Sequence, residues 1–424
     1  MQNRIYQFLL VILVVIIPII ANSQNSVSSP YSRYGIGNTN IYNNAINNSM
    51  GGVGYTMRAN NHVNYLNPAS YSAIDTNSLV FDIGFYSELV FLSTNDNKSR
   101  GNNSSISHIL IGLPIHKTTK LAFGLLPMSN VNYTSSETIS DTVLGSHKKE
   151  YGADGGISKA LLGLSYSPIS NLSFGANFEY LFGNYYKSST LSFPDSLYMY
   201  SSRKEENYNI NSFNFNLGAQ YYHKLNNGDK LGFGLVYNMP LKLSTDNVFS
   251  YYTFTTSAGL EYVKDSILET SSKGKISYPQ SIGLGLSYER EGDFYIGMDG
   301  NYTSWSDFLF QSDRFNQNLV DDYRVSIGSQ WRPNAYGTYF EKMVYRAGIS
   351  YNTGMLEIFD TRLNQIGVSL GFGLPIKKSN TLINFSIEYQ KRGSRDNGLI
   401  REDYIKFGLS FSAKDNWFFK RKYQ

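Results

Sequence analysis

From Ser78 onward the chain alternates. Leu79, Phe81, Ile83 and Phe85 interleave with Val80, Asp82, Gly84 and Tyr86, and Ile383, Phe385, Ile387 and Tyr389 interleave with Asn384, Ser386, Glu388 and Gln390. The same holds for Leu172, Phe174, Ala176, Phe178 and Tyr180, for Phe213, Phe215, Leu217 and Ala219, and for Ile366, Val368, Leu370 and Phe372. A period of two sends successive side chains to opposite faces of a strand. Here one face is large and apolar and the other is small or polar. The pattern predicts fourteen strands, near 78–91, 104–114, 119–133, 155–168, 171–187, 207–223, 229–243, 274–290, 293–304, 322–332, 341–353, 363–374, 381–392 and 401–413.

The connections separate two all-β architectures. A soluble sandwich alternates too, with its apolar face inward. In this chain short turns (116–119, 168–171, 224–228, 290–292, 376–380 and a somewhat longer 332–340) take turns with polar stretches. The stretches at 134–154, 188–206, 244–273 and 305–321 are long, and those at 92–103, 354–362 and 393–400 are shorter. Short turns at one rim and long loops at the other describe an outer-membrane barrel. The expected fold is therefore all-β, a transmembrane antiparallel β-barrel of about fourteen strands, with both chain ends on the periplasmic side. Its large residues would face lipid, with Tyr166, Tyr180, Tyr237, Tyr288 and Tyr302 near strand ends as a girdle. Asp82, Lys159, Glu179, Glu289, Asp299, Arg324, Arg346, Glu388 and Lys406 would face the lumen.

The stretch before the first strand follows neither period. Residues 48–71 are rich in glycine and then asparagine, yet carry Val53, Tyr55, Met57, Val63, Tyr65 and Leu66, too apolar for an ordinary linker. A wide barrel can enclose such a segment, and irregular backbone is tolerated at membrane depth when packed in protein. We expect residues 24–77 to form a hatch in the lumen. Residues 1–23 read as a secretory signal peptide. Arg4 is its positive end, 8–20 its apolar core, too short to span a bilayer, and Ala21 and Ser23 its small residues before a cleavage at Gln24. The expected organisation is a signal peptide (1–23), a hatch (24–77), a barrel (78–413) and a periplasmic tail (414–424), in a Gram-negative outer membrane.

Composition narrows the chemistry. Charged residues make up 17% and the net charge is +4, without the concentrated basic face of a nucleic-acid binder. Cysteine is absent, which excludes disulfides, thiolate metal sites, a cysteine nucleophile and a lipid-modified N-terminal cysteine. His62, His108, His116, His147 and His223 have neither metal-ligand spacing nor an evident serine and carboxylate partner. Gly283-x-Gly285 lies inside an alternating strand with no helix after it, so it is no nucleotide fingerprint. No catalytic residue, metal or cofactor is expected, and the chain does not read as an enzyme.

Several short motifs stand in a telling order: Gly51-Gly52-Val53-Gly54, Arg58-Ala59-Asn60-Asn61, Asn67-Pro68-Ala69, then Tyr278-Pro279-Gln280-Ser281-Ile282-Gly283, and DGNYTSWSDF from Asp299. Over almost the whole mature chain this resembles the FadL family of outer-membrane transport proteins, the type that includes TodX. That family has an N-terminal hatch with a Gly-Gly segment, an Asn-Pro-Ala turn and a fourteen-stranded barrel. The resemblance implies passive uptake of hydrophobic small molecules, such as long-chain fatty acids, past the hatch and out sideways through a kinked third strand into outer-membrane lipid. It points to Met50, Gly51, Gly52, Val53, Gly54 and Tyr55 as gate, and to Asn67, Pro68 and Ala69 as anchor. The third predicted strand carries Gly124, Leu125, Leu126 and Pro127, and proline cannot donate to a ladder, so a lateral opening is expected there. One departure is the basic run past Phe411, where the family's barrel usually ends in an aromatic residue. Two other functions fit a barrel of this type: an accessory barrel of a type IX-like secretion system, binding protein partners, and a general porin, which the apolar plug argues against.

Overall fold

A computed structural model describes residues 29–39, 44–142, 145–193, 199–257, 259–290, 292–310, 319–376 and 381–417. The predicted signal peptide, residues 377–380 of one predicted turn and residues 418–424 of the predicted tail lie outside the described residues. The strands are β1 (Ser78–Ser93), β2 (Lys98–Pro114), β3 (Thr119–Asp141), β4 (Gly145–Ile169), β5 (Leu172–Ser192), β6 (Ser201–Lys224), β7 (Lys230–Asn238), β8 (Leu241–Ser257), β9 (Leu260–Tyr278) and β10 (Ser281–Arg290). They continue as β11 (Phe294–Thr303), β12 (Leu309–Phe310), β13 (Asp322–Trp331), β14 (Val344–Asn352), β15 (Glu357–Ile358), β16 (Thr361–Arg362), β17 (Gln365–Pro375), β18 (Leu382–Arg392) and β19 (Arg401–Asn416).

All but β15 and β16 belong to one antiparallel sheet. β1 pairs with β2 on one side and with β19 on the other, so the sheet closes on itself. The circuit runs β1 to β7, then β10, β11, β13, β14, β17, β18 and β19, a closed barrel of 14 strands. β8 and β9 prolong β7 and β10 as a hairpin beyond Pro240 and Pro279, where the ladder lapses because proline has no N–H to give.

The wall is taller than its alternation suggests. Residues 134–154, 188–206 and 244–273 read as loops in the sequence, but most of them continue β3 to β6, β8 and β9. Polar pairs hold these extensions: Glu137 faces Lys149 across β3 and β4, and the Arg203 guanidinium meets both oxygens of Glu261 at 2.7 Å. Above the membrane both faces of a strand are wetted, so the period-two signal fades while cross-strand pairing persists. At the other end β19 runs on to Asn416, which pairs with Ser78.

Lower down, the outward positions are apolar. Leu162, Leu164, Phe174, Phe178, Phe213, Phe215, Leu284, Leu370 and Phe372 are all exposed on the outer surface. Asp82, Glu179, Asp299 and Arg346 are buried inside. A closed barrel with an apolar exterior and polar inner side chains belongs in a membrane. Its short turns mark the periplasmic rim, and the long β3–β9 extensions the extracellular one.

Candidate functional site

Residues 44–77 run round the inner wall in chain order. The short helix Ala45–Asn48 lies against β17, β18 and β19. Met50 meets Gly348 and Gly328, Val53 meets Gly297, and Tyr55 meets Gly234, Gly283 and Gly285. Pro68 meets Gly218 and Gly175, Tyr71 meets Gly163, and Ile74 meets Gly112. These inward glycines form rows across the ladders: Gly297 faces Gly328, Gly328 faces Gly348, and Gly348 faces Ser369. The space a side chain would fill is taken by the segment. A β-carbon at Gly348 would lie 2.1 Å from the Met50 carbonyl carbon.

Polar contacts fix the segment as well. Asp299 Oδ2 accepts from the Gly54 and Tyr55 N–H groups at 2.7 and 2.9 Å. Ser369 Oγ accepts from Gly51 N at 2.9 Å, and Arg324 donates to Gly51 O at 3.0 Å. Gly51 and Gly52 have φ of 67° and 88°, the left-handed region that glycine occupies without strain. Asn67 caps the 3-10 turn Pro68–Ala73 through Ala69 N and donates to Tyr55 O at 2.8 Å. It thereby ties the two halves of the segment together. His62 is wholly buried, which pushes its pKa down to about 4 and keeps the ring neutral.

Over part of the segment lies a polar chamber of about 230 Å³. Gly52, Tyr55, Tyr65 and Leu66 border it from the segment, and Lys159, Glu179, Asn214, Asp299, Asn301 and Arg324 from the wall. Trp305 and Tyr278 bring in an apolar cluster that fills the extracellular part of the lumen. The wall gives that cluster Met128, Val131, Ile157, Leu181, Tyr185, Tyr208 and Ile276. The loops give it Phe308, Leu319, Leu356, Leu363 and Leu399, and the N-terminal stretch Tyr31 and Ile36. The loops form a lid held by polar anchors. Asp321 accepts from the Ser306 hydroxyl and the Tyr302 hydroxyl, both at 2.6 Å, and Val320 N donates to Met355 O at 2.9 Å.

The wall is not paired throughout. β2 and β3 share a ladder only from Pro114↔Lys120 to Ile109↔Leu125. Beyond that point β2 pairs with β1 and β3 with β4. A seam therefore opens at Leu126 and Pro127, beside a bulge between Pro127 and Ser129. Leu125 and Ile106 are exposed on its outer side, and Met128 and Val131 of the apolar cluster lie on its inner side. One stretch of chain occupies it from within. Asn38 and Asn130 exchange both backbone hydrogen bonds, at 2.8 and 3.1 Å, and a β-carbon on Gly37 would lie 2.6 Å from Asn130 O.

The residues singled out in the sequence thus fall into two places. Met50 to Tyr55 and Asn67 to Ala69 meet in one layer, joined by Asp299 and the Asn67–Tyr55 bond. Gly124 to Pro127 lie apart from them, at the foot of the seam. The Asn38–Asn130 bridge was missed, because an isolated bridge of asparagines has no sequence signature. The glycine rows were open to detection, since an inward glycine recurs at matched registers on consecutive strands.

A protein-family model described as BamG matches residues 4–424. The chain belongs to the BamG family. No curated protein matches the sequence. Among solved structures, the Pseudomonas putida toluene transporter TodX aligns with a TM-score of 0.55 and 17% identity, over 90% of this chain and 100% of that one. A FadL homologue of Pseudomonas aeruginosa gives 0.59 and 14%, over 88% and 98%, and the Ralstonia pickettii toluene transporter TbuX 0.56 and 12%, over 89% and 99%. At these identities the likeness establishes the fold: this BamG-family chain is a FadL-like barrel. The expectation of a FadL-like fold holds, while the family model that matches is BamG.

Proposed function

We propose that the barrel lets hydrophobic compounds pass from its apolar extracellular end sideways into the outer membrane. Residues 36–38 close the β2–β3 seam as a gate, and Gly124 to Pro127 mark its foot. Met50 to Tyr55 and Asn67 to Ala69 serve as a hatch that blocks the straight route to the periplasm. The observation that carries this reading is the interrupted β2–β3 ladder with Met128 and Val131 directly behind it. Lumens of water-filled barrels are polar, so an apolar cluster facing a wall seam suits an apolar cargo. The chamber below supports lateral exit. A hydrocarbon chain moving down would cover Lys159, Glu179 and Arg324 without giving them hydrogen bonds. Long-chain fatty acids are the first cargo to try.

The test uses the absence of native cysteine. Asn38 and Asn130 form a hydrogen-bonded antiparallel pair, whose Cα separation of roughly 5.5 Å suits a disulfide. With Asn38→Cys and Asn130→Cys together, uptake of a fluorescent long-chain fatty acid into proteoliposomes should stop when oxidised and return with reductant. Uptake indifferent to the cross-link would sink the seam as the route.

A second reading, a docking barrel for protein partners such as those of a secretion system, rests on the β8–β9 hairpin. Leu260, Val263, Ile267 and Leu268 stand there between 53% and 62% exposed, an uncommon display of apolar side chains for a solvated hairpin. Under that reading, shortening the hairpin between residues 248 and 270 abolishes partner capture and leaves uptake unchanged.

A further inference from the structure

The polar chamber is provisioned for a ligand unlike the proposed cargo. Its side-chain amides are engaged within the wall. Asn214 Nδ2 donates to Glu179 Oε2 at 2.9 Å, Asn216 Nδ2 to Asn238 Oδ1 at 2.5 Å, and Asn238 Nδ2 to Ser281 Oγ at 2.7 Å. Lys159 Nζ is taken by Glu179 Oε1 at 2.7 Å. These bonds orient the amides and leave the Asn214 and Asn216 carbonyl oxygens over. Asn214 Oδ1, Asn216 Oδ1, Asp299 Oδ1 and Asp322 Oδ1 have no hydrogen-bond partner among the described residues, and all four residues line the chamber. Asn214, Asn216 and Asp299 are no more than 6% exposed. A buried acceptor without a donor costs about 1–3 kcal/mol, and a solute that brings donors can meet that need in place of water.

The arrangement selects among such solutes. Register links Asn216 through Asn238, Ser281 and Thr303 to Asp322, four strand steps and roughly 19 Å round the wall. Oxygens so spread cannot converge on one ion, which needs its ligands within about 2.6 Å. The charges also have partners already: Lys159 and Glu179 have each other, Asp299 the Gly54 and Tyr55 N–H groups, Asp322 the Asn352 amide and Arg324 the Gly51 carbonyl. Hydroxyl groups, which donate and accept, suit a dispersed set of acceptors. Trp305 and Tyr278, their rings 5.7 Å apart and nearly perpendicular, add an apolar face for ring C–H groups. At about 230 Å³ the chamber is smaller than the roughly 300–1,000 Å³ of drug-sized sites. We propose that the chamber binds a small neutral polyhydroxylated compound, a mono- or disaccharide, separately from any hydrophobic cargo above it.

The test titrates glucose and maltose into the full-length barrel in an amine-oxide detergent, since a sugar-headed detergent would compete. Trp305 is buried at the chamber while Trp331 and Trp417 are exposed, so tryptophan fluorescence reports the site. The expected result is a saturable change with at least one sugar, weakened roughly tenfold by Asn216→Leu, which removes a hydrogen-bond acceptor. Heat-modifiable gel mobility checks that the variant folds. Asp322→Asn, nearly isosteric, is the second variant and should also weaken binding. Three outcomes overturn the proposal: no saturable response to either sugar, a response to spermidine or sodium and not to sugar, or sugar binding untouched by both variants.

Discussion

The periplasmic and extracellular parts of this barrel share strands but not an interior. In the lower part each strand has a neighbour on both sides, and inward glycines at matched registers leave room for a chain segment. Higher up, the same strands turn large apolar side chains inward (Ile157 and Leu181, Tyr185 and Tyr208), and the wall parts between β2 and β3. A wall with small inner residues is completed by backbone packed against it. A wall with large apolar inner residues must be covered by lid loops or by an apolar guest, because exposing it to water is unfavourable. The contrast between a fixed lower layer and an exchangeable upper one is what the proposed passage depends on.

The most disruptive way to break that contrast is to fill the glycine row. In Gly348→Leu a side chain must occupy the place of the Met50–Gly51 backbone, 2.1 Å from the β-carbon position. The segment has to leave the wall, and the part of the lumen below the apolar cluster should then fill with water, raising single-channel conductance in planar bilayers whenever the lid above opens. The outer face at this position is unchanged, so the barrel should still fold, as heat-modifiable mobility would report. A folded variant with unaltered conductance would mean that the apolar cluster above, without residues 44–77, is enough to close the lumen. A smaller effect is expected for Asp299→Ala. It leaves the Gly54 and Tyr55 N–H groups without their acceptor, at about 1–3 kcal/mol each. Hydrogen exchange at those amides should accelerate while the barrel ladder stays protected; equal protection in both proteins would deny Asp299 its anchoring role.

These layers were not equally legible in the sequence. The lower wall declares itself because lipid outside and small residues inside give a clean period of two, as in Phe174, Phe178 and Tyr180 against Ser173, Gly175 and Asn177. Asp299, Arg324, Glu179 and Lys159 could be assigned to the lumen by the same parity, but their partners could not, since those depend on where an aperiodic segment comes to rest. The extensions of β3 to β6 went unread because solvent on both faces removes the contrast that alternation needs. Pro127 flagged a weak point in β3, yet the length of the seam follows from β2, whose residues 98–108 alternate little and gave no hint of pairing on one side only. The lid was invisible for a different reason: Trp305, Leu319, Leu356 and Leu399 come from separate loops and share an interior only after the barrel closes.

The gentlest probe of the contrast is acid, acting on the lid and sparing the layer beneath. The Ser306 hydroxyl, then the Tyr302 hydroxyl and the Ser306 N–H, hold the Asp321 carboxyl below its ordinary 3.8. A group whose pKa is lower in the folded state stabilises that state above its unfolded pKa, and the contribution disappears as the pH falls through the folded value. The lid should therefore be insensitive between pH 7 and 5 and loosen below about pH 4. Because Asp321 is only partly buried and solvent reaches its carboxylate, the change should be small. Trp305, at the end of the loop that Asp321 anchors, is the reporter: its emission should shift to the red on acidification. In Asp321→Asn the shift should already be present at pH 7 and change little with acid. If the variant keeps the native emission and the acid response, Asp321 does not hold the lid. If exchange at Gly54 and Tyr55 rises together with the shift, the upper and lower interiors open as one unit, and the separation between them fails.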